Sequence, residues 1–248
     1  MKRLFIDRVH RLPRVWSNRE LAKFADRFEG KVVNVSAFKD EDKEGRRYRD
    51  YFTNATEYAI TNYKAEANGL QGVDGEIFLD LVADLPPDLR GQFDVVFNHT
   101  TLEHIYEMRK AFANLCSLSN DVVITVLPFV QQYHSHYGDF WRFTPLALKK
   151  LYEENGMELV YQSFNSHSAA AVYVFSIGSK NPEKWRDQFD WKFTCLDDRQ
   201  ALAEPFVGCH AIPNRLYRFW LPIKLALLRM IGRKVKVTNH TDVDFDQL

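Results

Sequence analysis

The sequence predicts an α/β fold in which a sheet of about seven strands is flanked by helices and followed by a C-terminal extension. Short runs rich in β-branched and other apolar residues alternate with segments long enough for crossover helices, which is typical of a largely parallel sheet. The spacing of apolar residues in the segments between strands is helical. With 248 residues, of which 46% are hydrophobic, the chain can bury the core that such a sheet needs.

The first predicted elements are a helix and a strand. Ser17-Asn18-Arg19-Glu20 has the form of a capping box and apolar residues follow it at helical spacing, so a helix is predicted to begin at Ser17 and to end at Gly30. The β-branched run at residues 31–36 is typical of a strand buried on both faces. Similar runs predict further strands at residues 57–61, 76–79, 93–98 and 121–127.

Two helices and a hairpin complete the predicted core. Apolar spacing over residues 101–118 predicts an amphipathic crossover helix. Thr144-Pro145 has the hydroxyl cap and first-turn proline of a second helix, which Asn155-Gly156 ends. Residues 158–164 and 170–177 are predicted to form an antiparallel hairpin. The predicted organisation is therefore an N-terminal helical segment (1–30), a core (31–180) and a C-terminal extension (181–248).

Charge and cysteine content exclude several classes of function. The 33 Lys and Arg residues are balanced by 33 Asp and Glu residues, so the chain offers little affinity for a phosphate backbone and no nucleic-acid partner is expected. The three cysteines lie far apart without metal-ligand spacing, which is typical of a reducing compartment. No secretory signal or membrane-spanning run is recognised, so a cytoplasmic location is expected.

In an open α/β sheet, ligands bind beyond the carboxyl ends of the strands. After the first strand the chain has Ser36-Ala37-Phe38 and an acidic run, with Gly45 the only glycine where a nucleotide enzyme usually has several. The acidic run disfavours a diphosphate by repulsion but tolerates a cationic or nucleoside-type ligand. Asn62 ends the second strand, where it can bond ribose hydroxyls. Asp84, after the third strand, could accept a hydrogen bond from an exocyclic amine, or it could be a solvated aspartate in a turn before proline.

Polar side chains are densest after the fourth and fifth strands. Asn98, Thr100, Glu103 and His104 follow the fourth, although Glu103 and His104 also suit structural roles at a helix start. After the fifth comes a loop with two histidines, an aspartate, an arginine and several aromatic residues, which together suit proton transfer and packing on a sugar or a sulfonium. Structural alternatives remain open for part of this set, because Trp141 and Phe143 would also anchor the loop and Arg142 would also pair with Asp139. The loop residues of interest are His134, His136, Tyr137, Asp139, Trp141 and Arg142.

Five segments together carry a family resemblance. They are Asp84-Leu85-Pro86, Phe93-Asp94-Val95-Val96, Leu102-Glu103-His104, Leu127-Pro128-Phe129 and HYGDFWRFTP at residues 136–145. In combination they resemble the class I S-adenosylmethionine-dependent methyltransferases, and most closely the methyltransferase-domain proteins of bacterial surface-polysaccharide biosynthesis. The resemblance covers about residues 31–178 and implies a Rossmann-like sheet of seven strands whose last strand is antiparallel.

The resemblance also implies a cofactor, S-adenosylmethionine, and the residues around it. Its expected contacts are Val35, Ser36 and Ala37 after the first strand, Asn62 at the ribose, Asp84 and Leu85 beside the adenine, and Asn98 and Thr100 near the methionine portion. The chain departs from the family where the glycine-rich loop is replaced and where Asn62 stands for an acidic ribose ligand. Loss of a charged hydrogen bond costs about 1.5–3 kcal/mol, up to roughly a hundredfold in affinity.

The activity implied is methyl transfer to an oxygen of a saccharide or related small acceptor in glycan biosynthesis. His136 is the first choice of base and His104 the second, with Asp139 orienting a histidine or binding sugar hydroxyls. Glu103, His134, Tyr137, Trp141 and Arg142 are expected on the acceptor side. A divalent metal is compatible with these carboxylates, but the spacing of the residues does not demand one, so no metal site is predicted.

A second class of function stays open, namely a non-catalytic module of the same fold that acts as a partner or scaffold in glycan assembly. The missing glycines favour this alternative, whereas the polar cluster favours the enzyme.

Residues 215–234 combine aromatic and aliphatic bulk with basic residues at both ends. This composition suits a helix in the interface of the inner membrane, and equally a helix that docks on the core or on a second subunit.

Overall fold

The computed structural model describes residues 7–64, 69–73, 75–134, 138–165, 167, 169–189, 191 and 193, together with residues 223, 226, 227 and 230. The strands are β1 (Gly30–Val35), β2 (Ala55–Asn62), β3 (Glu76–Phe78), β4 (Phe93–His99), β5 (Ser119–Val130), β6 (Glu158–Phe164) and β7 (Val172–Ser179). The α-helices with stated bounds are α1 (Arg11–Ala22), α2 (Met108–Leu118), α3 (Pro145–Glu154) and α4 (Pro182–Phe189).

The strands form one seven-stranded sheet in the order β3-β2-β1-β4-β5-β7-β6. The first five strands are parallel, and β7 is antiparallel to both β5 and β6. The predicted α/β fold with an antiparallel last strand is therefore confirmed. The chain reverses its direction of progress across the sheet between β1 and β4, which makes their carboxyl ends the topological switch point.

Alternating side chains of the central strands supply two cores, one on each face of the sheet. Val33 and Val96 belong to the face covered by α2 and α3, while their neighbours Val32 and Val95 belong to the face covered by α1 and α4. All four side chains are essentially without exposed surface. Continuous β-branched runs are therefore explained by burial on both faces, as the sequence analysis expected.

The predicted start of the first helix is wrong. α1 begins at Arg11, and Ser17 lies inside it with its hydroxyl donating to the carbonyl of Arg14 (2.9 Å) instead of capping the helix. The apolar face already includes Trp16, which has no exposed surface, so packing extends the helix towards its N-terminus. Gly30 begins β1 instead of ending the helix.

The predicted continuous helix over residues 101–118 is also wrong, because it is interrupted. A short 3₁₀ turn (Leu102–His104) precedes α2, and the residues between them are not helical. The indole of Trp141 donates to the carbonyls of Ile105 (3.0 Å) and Tyr106 (3.2 Å), which a continuous helix would use for its own bonds. A distant side chain therefore decides where this helix starts.

The remaining core elements agree with the sequence. Thr144 caps α3 by accepting from the backbone N–H of Ala147 (3.1 Å), and Pro145 follows in the first turn. β6 and β7 pair as the expected antiparallel hairpin.

None of the helices in the described part of the chain has the length and apolar character needed to cross a membrane. The helix predicted over residues 215–234 lies outside the described residues, except for positions 223, 226, 227 and 230, which are helical.

Candidate functional site

A cleft of about 700 Å³ opens at the carboxyl ends of the first four strands. It therefore lies at the switch point where the sequence predicted a ligand. Each of the four strands contributes residues at its carboxyl end or directly after it, and α1 contributes Arg14. The strand-end residues that line the cleft are 36–38, 62–63, 79–82 and 99–101.

The loop after β1 has an unusual backbone. Ser36, Phe38 and Asp40 have φ values of +58°, +51° and +57°, the left-handed region in which glycine is favoured. A non-glycine residue in this conformation costs roughly 1–2 kcal/mol. The loop thus adopts a glycine-like shape without glycine, and its neighbours must hold it there.

Two asparagines hold this loop. Asn62 accepts from the backbone N–H of Phe38 (2.7 Å) and donates to its carbonyl (3.0 Å), while Asn34 donates to the carboxylate of Asp40 (2.8 Å). Asn62 also donates to Glu76 (2.6 Å). The side chain predicted to contact ribose is therefore engaged in fixing the loop.

The other predicted contacts after β1 are engaged as well. The N–H groups of Ser36 and Ala37 donate to the hydroxyl (3.3 Å) and carbonyl (3.1 Å) of Thr61 at the end of β2. Val35 is buried, and its carbonyl accepts from Asn98 (2.9 Å). The carbonyl oxygen of the Asn98 side chain has no hydrogen-bond partner among the described residues.

The structure places the predicted adenine contacts Asp84 and Leu85 outside the cleft. The Asp84 side chain is 99% exposed and pairs with Lys110 (3.1 Å), and Leu85 is buried in the core. Asp80, Leu81 and Val82 line the cleft in their place. β3 ends at Phe78, so the first acidic residue after the strand was the signal that sequence reasoning missed.

After β4, Thr100, one of the predicted cofactor contacts, lines the cleft, and His99 lines it beside Thr100. The ring nitrogens of His99 lie 2.9 Å from the Ser17 hydroxyl and 3.1 Å from that of Thr100. Burial, assisted by the charge of Arg14, lowers the pKa of His99 well below its usual value. His99 is therefore neutral and hydrogen-bonded within the wall of the cleft.

Positive charge lines one side of the cleft. Arg14 comes from α1 and Lys43 from the loop after β1. The charge of Arg14, together with burial and the charge of Arg11, lowers the pKa of Lys43. No local motif marks either cleft residue, because only the packing of α1 on the sheet brings them together.

His104 lines the cleft next to the strand-end residues. Its Nδ1 lies 2.6 Å from the carbonyl oxygen of Gly138, which can only accept, so Nδ1 carries a proton and Nε2 carries the lone pair of the neutral ring. Burial lowers the pKa of His104, which keeps the ring neutral. The neutral ring can accept a proton at Nε2.

Glu103 precedes His104 in the same 3₁₀ turn, and one of its carboxylate oxygens lies 3.8 Å from Nε2 of His104. Its side chain has no exposed surface, and neither carboxylate oxygen has a hydrogen-bond partner among the described residues. Burial raises the pKa of Glu103 to about 8. A contact between this side chain and an acceptor was predicted, but Glu103 does not line the cleft.

Asp139 and Arg142 form the salt bridge that the sequence left open. Two nitrogens of Arg142 bond the two carboxylate oxygens of Asp139 at 2.5 and 2.8 Å. The remaining donors of Arg142 bond the carbonyls of Gln131, Gln132 and Trp141, so all five N–H groups are used within the loop. Arg142 has no donor left for an acidic acceptor.

Asp139 also contacts a histidine, His134, through the backbone N–H and at a longer distance through the ring. Burial acts to raise its pKa, but hydrogen bonds from Arg142 and the backbone N–H of His134 lower it to about 2. The ionised carboxylate accepts from the His134 backbone (2.8 Å) and lies 3.4 Å from Nδ1 of the His134 ring.

The other loop residues comprise two anchors, one residue that lines the cleft and two positions outside the described residues. Trp141 locks the loop through its indole, and Phe143 is buried. Phe140 lines the cleft. The first-choice base His136 and the predicted contact Tyr137 lie outside the described residues.

A comparison with protein-family models finds no match, and a comparison with curated proteins finds none either. Among solved structures, a putative methyltransferase from Bacillus halodurans is 9% identical over 65% of this chain and 97% of its own, with a TM-score of 0.48.

Two further structures are similar. Burkholderia thailandensis 1,6-didemethyltoxoflavin-N1-methyltransferase, solved with bound 1,6-didemethyltoxoflavin and S-adenosylhomocysteine, is 14% identical over 67% of this chain and 80% of its own (TM-score 0.47). Magnesium protoporphyrin IX methyltransferase from Synechocystis, solved with S-adenosylhomocysteine, is 12% identical over 66% and 82% of the two chains (TM-score 0.43).

Proposed function

We propose that this chain is an S-adenosylmethionine-dependent methyltransferase that methylates a hydroxyl of a saccharide or related small acceptor in glycan biosynthesis. The observation that carries the proposal is the cleft at the switch point. It is lined by Asp80, which follows β3, and by the neutral His104, which follows β4. The seven-stranded sheet with an antiparallel β7 is the arrangement that the sequence resemblance implied.

The residues of the cleft fit this cofactor. A volume of about 700 Å³ is within the range of small-molecule and cofactor sites. Asp80 can accept from an exocyclic amine, with the apolar Leu81 and Val82 next to it for a purine face. Arg14 and Lys43 supply positive charge for a carboxylate.

Aromatic residues fit the remaining part of the cofactor. Phe38, Tyr48, Tyr106 and Phe140 all line the cleft. Aromatic faces attract a positively charged group such as a sulfonium. The proposed arrangement therefore places the nucleoside towards β3 and leaves the side of His104 for the acceptor.

When bound, S-adenosylmethionine supplies an electrophilic methyl group. His104 takes the proton of the acceptor hydroxyl at Nε2, because Nδ1 already donates to Gly138. The carbonyl of Gly138 holds the ring in one orientation, which reduces the cost of aligning the base. His136 remains a second candidate for the same proton transfer.

One observation favours the non-catalytic module as a second candidate. The N–H groups of Ser36, Ala37 and Phe38 all bond the end of β2, so none of them is available to a cofactor in this conformation. A chain that no longer binds cofactor would retain the sheet and use its surface for a partner in glycan assembly.

Isothermal titration with S-adenosylmethionine and S-adenosylhomocysteine decides between the two. The methyltransferase requires binding with a stoichiometry near one, weakened roughly 10-fold to 100-fold by Asp80→Asn, since a charged hydrogen bond is lost. Asp84→Asn is the matched control, because Asp84 is exposed and outside the cleft. Absence of binding up to millimolar concentration would support the module instead.

The acceptor class needs a separate measurement. Purified protein with S-adenosylmethionine is incubated with panels of saccharides, phenols and small amines, and methylated products are detected by mass spectrometry. Transfer to saccharide hydroxyls supports the proposal. Cofactor binding together with transfer only to the other panels would overturn the acceptor class while leaving the methyltransferase in place.

A further inference from the structure

We propose that Glu103, His104 and His134 bind one divalent transition-metal ion of the zinc type at the side of the cleft. Each residue offers one ligand atom, and these atoms all lie within 4.8 Å of one another. Ligand atoms of a tetrahedral zinc site with bonds of ~2.0–2.1 Å are roughly 3.4 Å apart. Small rotations of the three side chains would therefore bring the ligand atoms to the separation that a bound ion requires.

The two histidines are already held in the orientation that metal ligands need. Nδ1 of His104 donates to Gly138, and Nδ1 of His134 faces two acceptors, the carbonyl of Gln132 (3.3 Å) and the carboxylate of Asp139 (3.4 Å). With the protons on Nδ1, both rings present the Nε2 lone pair. A carbonyl or carboxylate behind the ring is the usual outer support of a metal-bound histidine.

The carboxylate of Glu103 provides evidence for a bound cation that is independent of the distances between the ligand atoms. A carboxylate without exposed surface is expected to have a partner, yet both oxygens of Glu103 lack a hydrogen bond among the described residues. Neither of the nearby arginines donates to it, because Arg142 uses its five donors within the loop and no hydrogen bond joins Arg14 to either oxygen. A cation between Glu103 and the two rings would satisfy this carboxylate.

The donor set selects the kind of ion. Two imidazoles and one carboxylate suit zinc and its neighbours among the transition metals, whereas Mg²⁺ prefers oxygen ligands and retains several waters. Three protein ligands leave one position of a tetrahedral ion open. Because His104 also lines the cleft, that position would be available to water or to an oxygen of a bound ligand. With the ion bound, Nε2 of His104 is a metal ligand and takes no proton, so the proton transfer proposed for His104 belongs to the metal-free chain.

The test uses the full chain without any cofactor, so that its outcome does not depend on methyltransferase activity. Chelator-treated protein is titrated with ZnCl₂ and separately with MgCl₂, and metal content is measured after gel filtration. We expect one retained zinc per chain, a higher Tm with zinc, and no retained magnesium. Glu103→Gln and His134→Asn each keep the approximate shape of the side chain, and each should weaken zinc binding at least 10-fold.

His10→Asn is the matched control. The ring of His10 lies 5.3 Å from that of His134 but does not belong to the cluster, so zinc binding should be unchanged. Circular dichroism confirms that each variant is folded. Wild-type protein that retains no zinc would overturn the proposal. So would Glu103→Gln and His134→Asn variants that bind zinc as tightly as the wild type.

Discussion

At the scale of single residues, Glu103 shows how burial controls the charge of a side chain. The ionised carboxylate would lose its hydration without gaining a hydrogen bond, so the protonated form is favoured and the pKa rises to about 8. Metal binding and protonation are therefore alternative ways to neutralise the same buried group.

Glu103 should make the metal-free protein less stable as the pH rises. Between its ordinary pKa of 4.5 and about 8, the folded state holds a proton that the unfolded state has lost. The free energy of unfolding then falls with pH by up to ~1.4 kcal/mol per unit from this group. The Glu103→Gln variant lacks this contribution. Its free energy of unfolding, relative to that of the wild type, should therefore rise with pH across this range.

Urea unfolding in EDTA at several pH values measures this difference. The two proteins share all other titrating groups, so subtracting their curves isolates Glu103. A constant difference between pH 5 and 8 would contradict the assignment.

His104 should matter for the rate of methyl transfer and not for cofactor affinity. Removing a general base lowers the rate by about 10²–10⁴. For His104→Asn we expect a fall in kcat of this size with an unchanged Kd for S-adenosylhomocysteine, measured by product formation and by titration. An unchanged kcat would mean that another group is the general base, and His136→Asn would then be the next variant to measure.

At the scale of elements, local sequence signals succeed where no distant group competes with them. Thr144 and Pro145 start α3 because the cap is exposed and self-contained. The spacing that predicted a helix from residue 101 failed because Trp141, from another loop, takes the carbonyls of Ile105 and Tyr106. The competition between Trp141 and the helix for these carbonyls depends on tertiary structure, so the spacing of apolar residues in the sequence does not reveal it.

The cap of α3 gives a stability prediction. Thr144→Ala removes the acceptor for the N–H of Ala147 and should lower the free energy of unfolding by about 0.5–2 kcal/mol. Thr144→Ser keeps a hydroxyl and should retain most of that stability in chemical denaturation. Equal stability of the Ala and Ser variants would show that the cap contributes nothing.

At the scale of the whole molecule, α1 is part of the core and of the cleft. Its Glu20 accepts from Tyr161 and Ser163 of β6, both at 2.9 Å, and its Trp16 is fully buried against the sheet. The same helix brings Arg14 into the cleft. The segment before β1 is thus bonded to the far edge of the sheet.

This packing predicts a large effect from a residue near the start of the chain. Trp16→Ala should lower the free energy of unfolding by about 3–5 kcal/mol, because a buried aromatic side chain is lost. Tyr133→Ala, at a position that is 78% exposed, should change it by less than about 0.5 kcal/mol. A small effect at Trp16, measured by urea unfolding, would mean that α1 is dispensable for the core.

The sequence was sufficient for the fold but only for part of the site. The positions of the strands followed from apolar runs, which reflect burial on both faces, whereas the order of the strands in the sheet comes from the structure. Whether Asp80 or Asp84 faces the cleft depends on where the three-residue β3 ends, and spacing does not reveal this. Arg14 could not be assigned either, because it reaches the cleft only through the packing of α1.

The backbone of the loop after β1 has a consequence for how related proteins are recognised. A search pattern written as glycine letters passes over a turn in which serine, phenylalanine and aspartate occupy the left-handed positions. A pattern written as torsion angles, with three positive φ values in five residues after the first strand, would detect it. Two chains could then share this turn without sharing any of its letters.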